Sequence, residues 1–205
     1  MIAVRMHSWD SLLPTPLKAG GNVTHAFLQR GVLTYQDAAR LVCQLPYQRN
    51  RDINDNDSLV VLRQECGTCS TKHALLRRLA AEQDLDIVLV LGVFEMGGHN
   101  TPGVQAVLEK YGLAALPEAH CYLRSNDQRV DLTHDRGNRR LPSLVFLHEE
   151  DIAPEQIGDY KLKLHRRFLR EWVSRIGAVR CRNVEDAWRI REECIRALSF
   201  APLEA

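Results

Sequence analysis

The sequence predicts an α+β fold in which a cysteine-bearing helix packs on a small antiparallel sheet, with further helices at both chain ends. Three observations predict it. From Ser70 on, Ala74, Leu75, Leu79 and Ala80 form an apolar stripe at helical spacing, with Lys72, Arg77 and Arg78 facing away. The run Ile87-Val88-Leu89-Val90-Leu91 has the composition of a buried strand. His120 to Arg124 and Arg129 to Thr133 flank the polar Ser125-Asn126-Asp127-Gln128, a hairpin signal. With 205 residues, 45% of them hydrophobic, the chain can bury a real core as one domain spanning residues 1–205. The core covers about residues 45–150, between a helical N-terminal lead-in and a helical C-terminal extension.

In chain order, residues 1–22 carry Pro14, Pro16, Gly20 and Gly21 and read as a loosely structured lead-in. Thr24 can cap a short helix, His25 to Arg30, that stops at Gly31. Thr34 followed by Asp37 resembles a capping box opening a second helix, which Pro46 ends. Residues 47–57 are polar and turn-rich, hence a loop, and Ser58 to Leu62 is too short for periodicity to decide. Asp86 to Phe94 is the buried strand, followed by a glycine-rich loop from Glu95 to Asn100. Thr101 as N-cap, Pro102 at the first helical position and Gly112 beyond the end bracket another helix. Leu144 to Leu147 can add a strand. The tail is helical from Pro154 to about Ile176, then from Val184 to about Leu198 behind an Asn183 cap.

A net charge of +1 gives no electrostatic case for nucleic acid. No apolar run reaches the roughly 18 residues of a membrane span, and the N-terminus lacks the basic-then-apolar pattern of a secretory signal. Six cysteines (Cys43, Cys66, Cys69, Cys121, Cys181 and Cys194) are scattered rather than framed for disulfides, which favours a reducing, cytoplasmic setting.

Cys69 opens its helix directly after Gly67-Thr68, where unpaired N–H groups and the positive dipole end favour a thiolate. If Arg124 pairs with Arg129, Tyr122 lies opposite Asp131, and His120 and Asp131 become diagonal neighbours on one face. A carboxylate beside an imidazole fixes its tautomer and raises its basicity, and the imidazole can hold Cys69 as an ion pair. The reading depends on that register, because a one-residue slip puts His120 and Asp131 on opposite faces.

These residues resemble the transglutaminase-like superfamily. Its pattern is Gly-x-Cys at a helix start, a His at a strand start and Asp-x-Thr on the next strand, matched here by Gly67-Thr68-Cys69, His120 and Asp131-Leu132-Thr133. The resemblance spans roughly residues 45–135. It implies a cysteine helix packed on an antiparallel sheet and a catalytic triad of Cys69, His120 and Asp131. The implied activity is that of a cysteine hydrolase or acyltransferase working through a thioester, on a peptide, protein or small amide. The lack of an evident second-substrate feature favours hydrolysis over crosslinking, and no metal or organic cofactor is implied. Gln64 is the candidate side chain for the oxyanion hole, beside the Cys69 N–H. Glu95, His99 and Tyr122 are candidate cleft residues.

Three other readings stay open. Cys66-x-x-Cys69 at a helix start is a thiol-disulfide redox motif, with Leu116-Pro117 as a downstream proline. Cys66, Cys69, Cys121 and His134 have the donor types of a zinc site. Cys69 can also be an ordinary buried thiol in a non-catalytic interaction module. His73 reads as a packed or solvated helix residue. Arg136, Arg139 and Arg140 form a basic turn, and His165, Arg166, Arg167 and Arg170 a wet helix face with Leu162, Phe168, Leu169 and Trp172 nearer the core.

Overall fold

The apolar run after the cysteine helix becomes an eleven-residue strand, Ile87–Gly97, buried along almost its whole length, and the fold is built outward from it. The structure, a computed structural model, describes residues 5–51, 57–135, 143–177 and 181–200. In chain order its elements are β1 (Met6–His7), a 3₁₀ turn (Trp9–Ser11), α1 (Asn22–Leu28), α2 (Tyr35–Gln44), α3 (Val60–Gln64) and α4 (Cys69–Glu82). Then come β2 (Ile87–Gly97), α5 (Gln105–Lys110), β3 (Ala115–Ser125), β4 (Gln128–Val130) and β5 (Phe146–Asp151). A second 3₁₀ turn (Pro154–Ile157) leads to α6 (Asp159–Ile176) and α7 (Val184–Phe200). Residues 52–56 of the polar loop and Arg136, Arg139 and Arg140 lie outside the described residues.

The five strands form one sheet in the order β1-β4-β3-β2-β5. It is mixed, not purely antiparallel. Met6 and His7 pair in parallel with Arg129 and Val130, while the other pairings are antiparallel. The lead-in is therefore partly tied into the sheet, a strand of two residues being too short to show any periodicity. Arg124 does pair with Arg129, but the hairpin loop is two residues rather than four. Asn126 and Asp127, both at positive φ (47° and 60°), make the tight turn whose twist suits a hairpin.

The period of two splits the core between the two faces of the sheet. Leu89, Leu91, Val93, Ala119, Cys121 and Leu123 pack towards α1–α4. Val90, Phe94, Met96, Leu116 and Tyr122 pack towards α5, α7 and the later turns of α6. Among the described residues, no helix is long and apolar enough to cross a membrane.

Helix ends differ from the sequence expectation in instructive ways. Thr34 caps α2 as expected, accepting from the Asp37 N–H at 3.0 Å. Thr24 does not cap α1, which starts at Asn22. The Glu82 carboxylate, at the far end of α4, accepts from Val23 N (3.1 Å), Thr24 N (2.7 Å) and Thr24 Oγ1 (2.7 Å). Thr101 and Pro102 do not open α5. Gly103 sits at φ +99°, outside helical space, and the chain turns helical only after Val104. Lys72, expected to face water, is fully buried and donates from Nζ to the carbonyls of Cys43 (3.4 Å), Leu45 (2.6 Å) and Thr133 (2.8 Å). Burial holds its pKa down at about 8. His165 is likewise buried, donating to the Pro117 carbonyl at 2.8 Å, whereas Leu162 is an exposed position of the same helix.

The Glu82 contact supplies the cap that the N-terminus of α1 lacks locally. Glu82→Ala is expected to lower stability by about 1–2 kcal/mol, read as a shift of the urea midpoint at constant m. An unchanged midpoint would mean that water replaces the carboxylate without loss.

Candidate active site

Cys69 is the first residue of α4, and the turn beneath it is closed by a reciprocal cap. Thr68 N–H donates to Thr71 Oγ1 (3.0 Å), and Thr71 N–H donates to Thr68 Oγ1 (3.5 Å). Thr71 Oγ1 in turn donates to Asn50 Oδ1 (2.8 Å), and Asn50 Nδ2 donates to the Cys66 carbonyl (2.9 Å). The loop before the helix and the helix start are thus one bonded unit, which sets the direction of the cysteine side chain.

The sheet makes room for it. β4 is only three residues long and covers β3 from Leu123 to Ser125, leaving the earlier edge of β3 without a strand among the described residues. Cys69 sits against that stretch, where the Cys121 N–H and the His120 side chain both reach its sulfur. His120 Nε2 donates to Asp131 Oδ2 at 3.0 Å, so Nδ1 is the nitrogen left for the thiol. Asp131 Oδ1 accepts from Thr133 N (3.0 Å) and Thr133 Oγ1 (2.5 Å). The structure therefore brings the side chains of Cys69, His120 and Asp131 together, with His120 between the other two.

His73 locks this arrangement from behind, as a packed rather than a solvated residue. Leu132 N–H donates to His73 Nε2 (2.8 Å), so the proton is on Nδ1, which donates to the Cys69 carbonyl (2.7 Å). Both bonds require the neutral ring, because a proton on Nε2 would face the Leu132 N–H. Burial acts in the same direction and holds the His73 pKa down at about 4.

The charges divide sharply. Burial alone would push the Cys69 thiol up, but Lys161 and His120 beside it bring it down to about 6. Burial also opposes the His120 imidazolium, yet Asp131 and the Cys69 sulfur hold its pKa well above the ordinary value. Asp131, despite burial, is held far below the usual carboxylate range by His120. Lys161, from α6, donates to Ser70 Oγ at 2.7 Å and lies 3.7 Å from Cys69 Sγ. Burial disfavours its charge, but the Cys121 and Cys69 sulfurs and Glu118 keep the ammonium protonated.

An aromatic floor supports His120. Tyr122 stacks near it (6.4 Å, 21°), Phe94 meets it edge-on (6.1 Å, 84°), and Phe146 packs on Tyr122 (5.3 Å). Gly92, opposite His120 in the register, lets these rings close up, since a Cβ there would collide with Phe146. Two cavities meet at the cysteine. One is largely apolar, with Phe94, Met96, Leu144 and Leu198 beside His120 and Asp131. The other holds Arg49, Ser70, Lys161 and Arg191. Tyr47 and Ile195 line both.

The remaining sequence candidates sit elsewhere. Gln64 lines neither of these cavities. Its Oε1 accepts from Arg51 N (2.9 Å) and its Nε2 donates to Arg51 O (2.7 Å), so both ends of the amide are spent on that backbone. Glu95 and His99 are exposed and line neither cavity; the adjacent Asn100 and Thr101 do reach the apolar one. Tyr122 is buried in the floor, its hydroxyl donating to Glu149. All six cysteines are free, and among the described residues no cluster of three or more His, Cys, Asp or Glu is arranged to hold a metal.

Sequence reasoning missed Lys161, Tyr47 and the Glu118–Arg191 pair. Arg191 donates to Glu118 from Nε (2.7 Å) and Nη2 (2.6 Å), and this buried pair ties α7 to β3. A glycine inside an apolar strand was the one local signal available, at Gly92. Compared with models of protein families, with curated proteins and with solved structures, the chain finds no match in any of the three.

The neutral His73 makes stability depend on pH. Its folded pKa lies below its unfolded value of about 6.5, so its contribution is complete above that value and declines as pH falls towards 4. Wild-type protein is expected to lose urea resistance between pH 6 and 4.5, and His73→Gln to show a shallower loss over that window. Equal slopes would remove His73 as the cause.

Proposed function

We propose that this chain is a transglutaminase-like cysteine enzyme acting on an amide or related acyl bond through a thioester. The observation that carries the reading is the Cys69–His120–Asp131 chain of contacts ending in a thiol whose pKa is about 6. In the mechanism, the Cys69 thiolate attacks the acyl carbon, the carbonyl pair moves onto oxygen, and the oxyanion forms beside the Cys69 N–H. Collapse of this intermediate expels the amine, which takes its proton from the His120 imidazolium through Nδ1. Neutral His120 then draws a proton from water, which attacks the thioester and restores the thiolate.

Hydrolysis is favoured over transfer to an amine on the sequence alone, which carries no evident second-substrate feature. A peptide, protein or small amide is the substrate class, with no cofactor required. Six free cysteines suit a reducing compartment, and the cytoplasm is the proposed location.

Alkylation by iodoacetamide between pH 5 and 9, read by peptide mass, tests the pair directly. In the wild type the Cys69 rate is expected to rise with a midpoint near pH 6. In His120→Ala the midpoint is expected to move towards the ordinary thiol value of about 8.5, slowing reaction at pH 6.5 by roughly tenfold or more. Cys66→Ser is expected to change neither. A fast Cys66 indifferent to His120 would replace this reading with a redox one. A wild-type Cys69 that stays unreactive until above about pH 8.5 would leave only a non-catalytic fold.

A further inference from the structure

The second cavity at Cys69 has a composition that the proposed chemistry does not use. Arg49, Lys161 and Arg191 line it, and among its described lining residues there is no aspartate or glutamate. Two of these cations are already matched from behind. Arg191 is held by both oxygens of Glu118, and Arg49 pairs with Glu192 at 2.8 Å. Lys161 differs, since its ammonium is bonded to the Ser70 hydroxyl and faces the Cys69 sulfur.

We infer that the acyl substrate carries a carboxylate close to its scissile bond, and that Lys161 seats this group in the cavity on the Ser70 side of Cys69. The inference rests on the Cys69–His120 reading and names the substrate class for it. Three arguments carry it. The anion beside the half-buried Lys161 ammonium is the Cys69 thiolate. Once that sulfur is acylated the ammonium is left with a neutral hydroxyl, a costly state unless the substrate supplies an anion. With both arginines matched and the sulfur acylated, the cavity offers one surplus positive charge, which suits a monoanionic carboxylate better than a dianionic phosphate. At 3.7 Å from Sγ, the ammonium is also close enough that the group it binds must lie within a few bonds of the acyl carbon.

The geometry gives the interaction a sequence in time. While Cys69 is a thiolate, its charge competes for Lys161. When the C–S bond forms and the carbonyl is regenerated as a neutral thioester, that competitor disappears. The ammonium then has the substrate carboxylate to itself, so the acyl group is held most firmly at the stage when water must find it.

Two alkylating reagents of almost equal size separate charge recognition from thiol reactivity. Iodoacetate carries the carboxylate and iodoacetamide does not. The ratio of their Cys69 rates at pH 7 cancels the thiolate fraction. The wild-type ratio is expected to exceed that of N-acetylcysteine by on the order of tenfold, and to fall as salt is raised. Lys161→Met and Lys161→Gln are expected to bring it back to the small-thiol value, and Lys161→Arg to preserve it. A wild-type ratio equal to that of N-acetylcysteine overturns the proposal without any variant. A raised ratio that survives in a folded Lys161→Met or Lys161→Gln protein overturns the role of Lys161. In both cases the Cys69–His120 reading stands, as long as both reagents react fast. If both are slow with the wild type at pH 7, the nucleophile and the carboxylate site fall together.

Discussion

One neutral imidazole, that of His73, holds the start of the cysteine helix against the strand end that carries the aspartate. Its two nitrogens bridge the Cys69 carbonyl and the Leu132 N–H, residues far apart in the chain. The ring can do so only as a single tautomer and only without charge; its two partners fix the tautomer, and its burial disfavours the charge. Lys72, one residue earlier, repeats the device with a cation, joining the end of α2 to the Thr133 carbonyl. Two consecutive polar side chains of α4 thus anchor the Asp131–Thr133 segment. A buried donor or acceptor deprived of its partner costs about 1–3 kcal/mol, so the segment has little freedom to drift. The position of Asp131, and through it the orientation of His120, follows from these bonds.

Much of the fold was legible from local pattern. The amphipathic stripe of α4, the apolar run of β2, the Thr34–Asp37 cap and the Asn183 cap all lie in short windows where periodicity or turn chemistry speaks directly. The Arg124–Arg129 register was legible too, because alternation leaves few choices once one face is buried. What escaped was set by distant partners. Lys72 and His165 look like surface residues in sequence, and become interior ones because carbonyls elsewhere in the chain wait for them. Thr24 looks like a cap, yet the cap is Glu82, which no window around α1 contains.

The same division runs through the candidate site. Cys69, His120 and Asp131 each stand in a short motif, and the structure brings the three side chains together. Gln64 has the right place upstream of the cysteine in sequence, but the turn after α3, with Glu65 at φ 51°, leaves its amide on the Arg51 backbone. The wall of the basic cavity comes largely from α6 and α7, whose sequences read as ordinary amphipathic helices. No pattern within 154–198 distinguishes Lys161 from the other basic residues around it, and only the packing of α6 on β3 brings it to the sulfur.

The lowered pKa of Cys69 depends on two other parts of the chain, on His120 and Cys121 of β3 and on Lys161 of α6. None of them is near it in sequence, so a chain that has lost its tertiary packing carries at position 69 an ordinary thiol, largely protonated at neutral pH. Fast chemistry at this sulfur is then a signature of the native state alone. Counting the molecules that react quickly counts the folded fraction, and the protein carries its own reporter of structural integrity without any added probe.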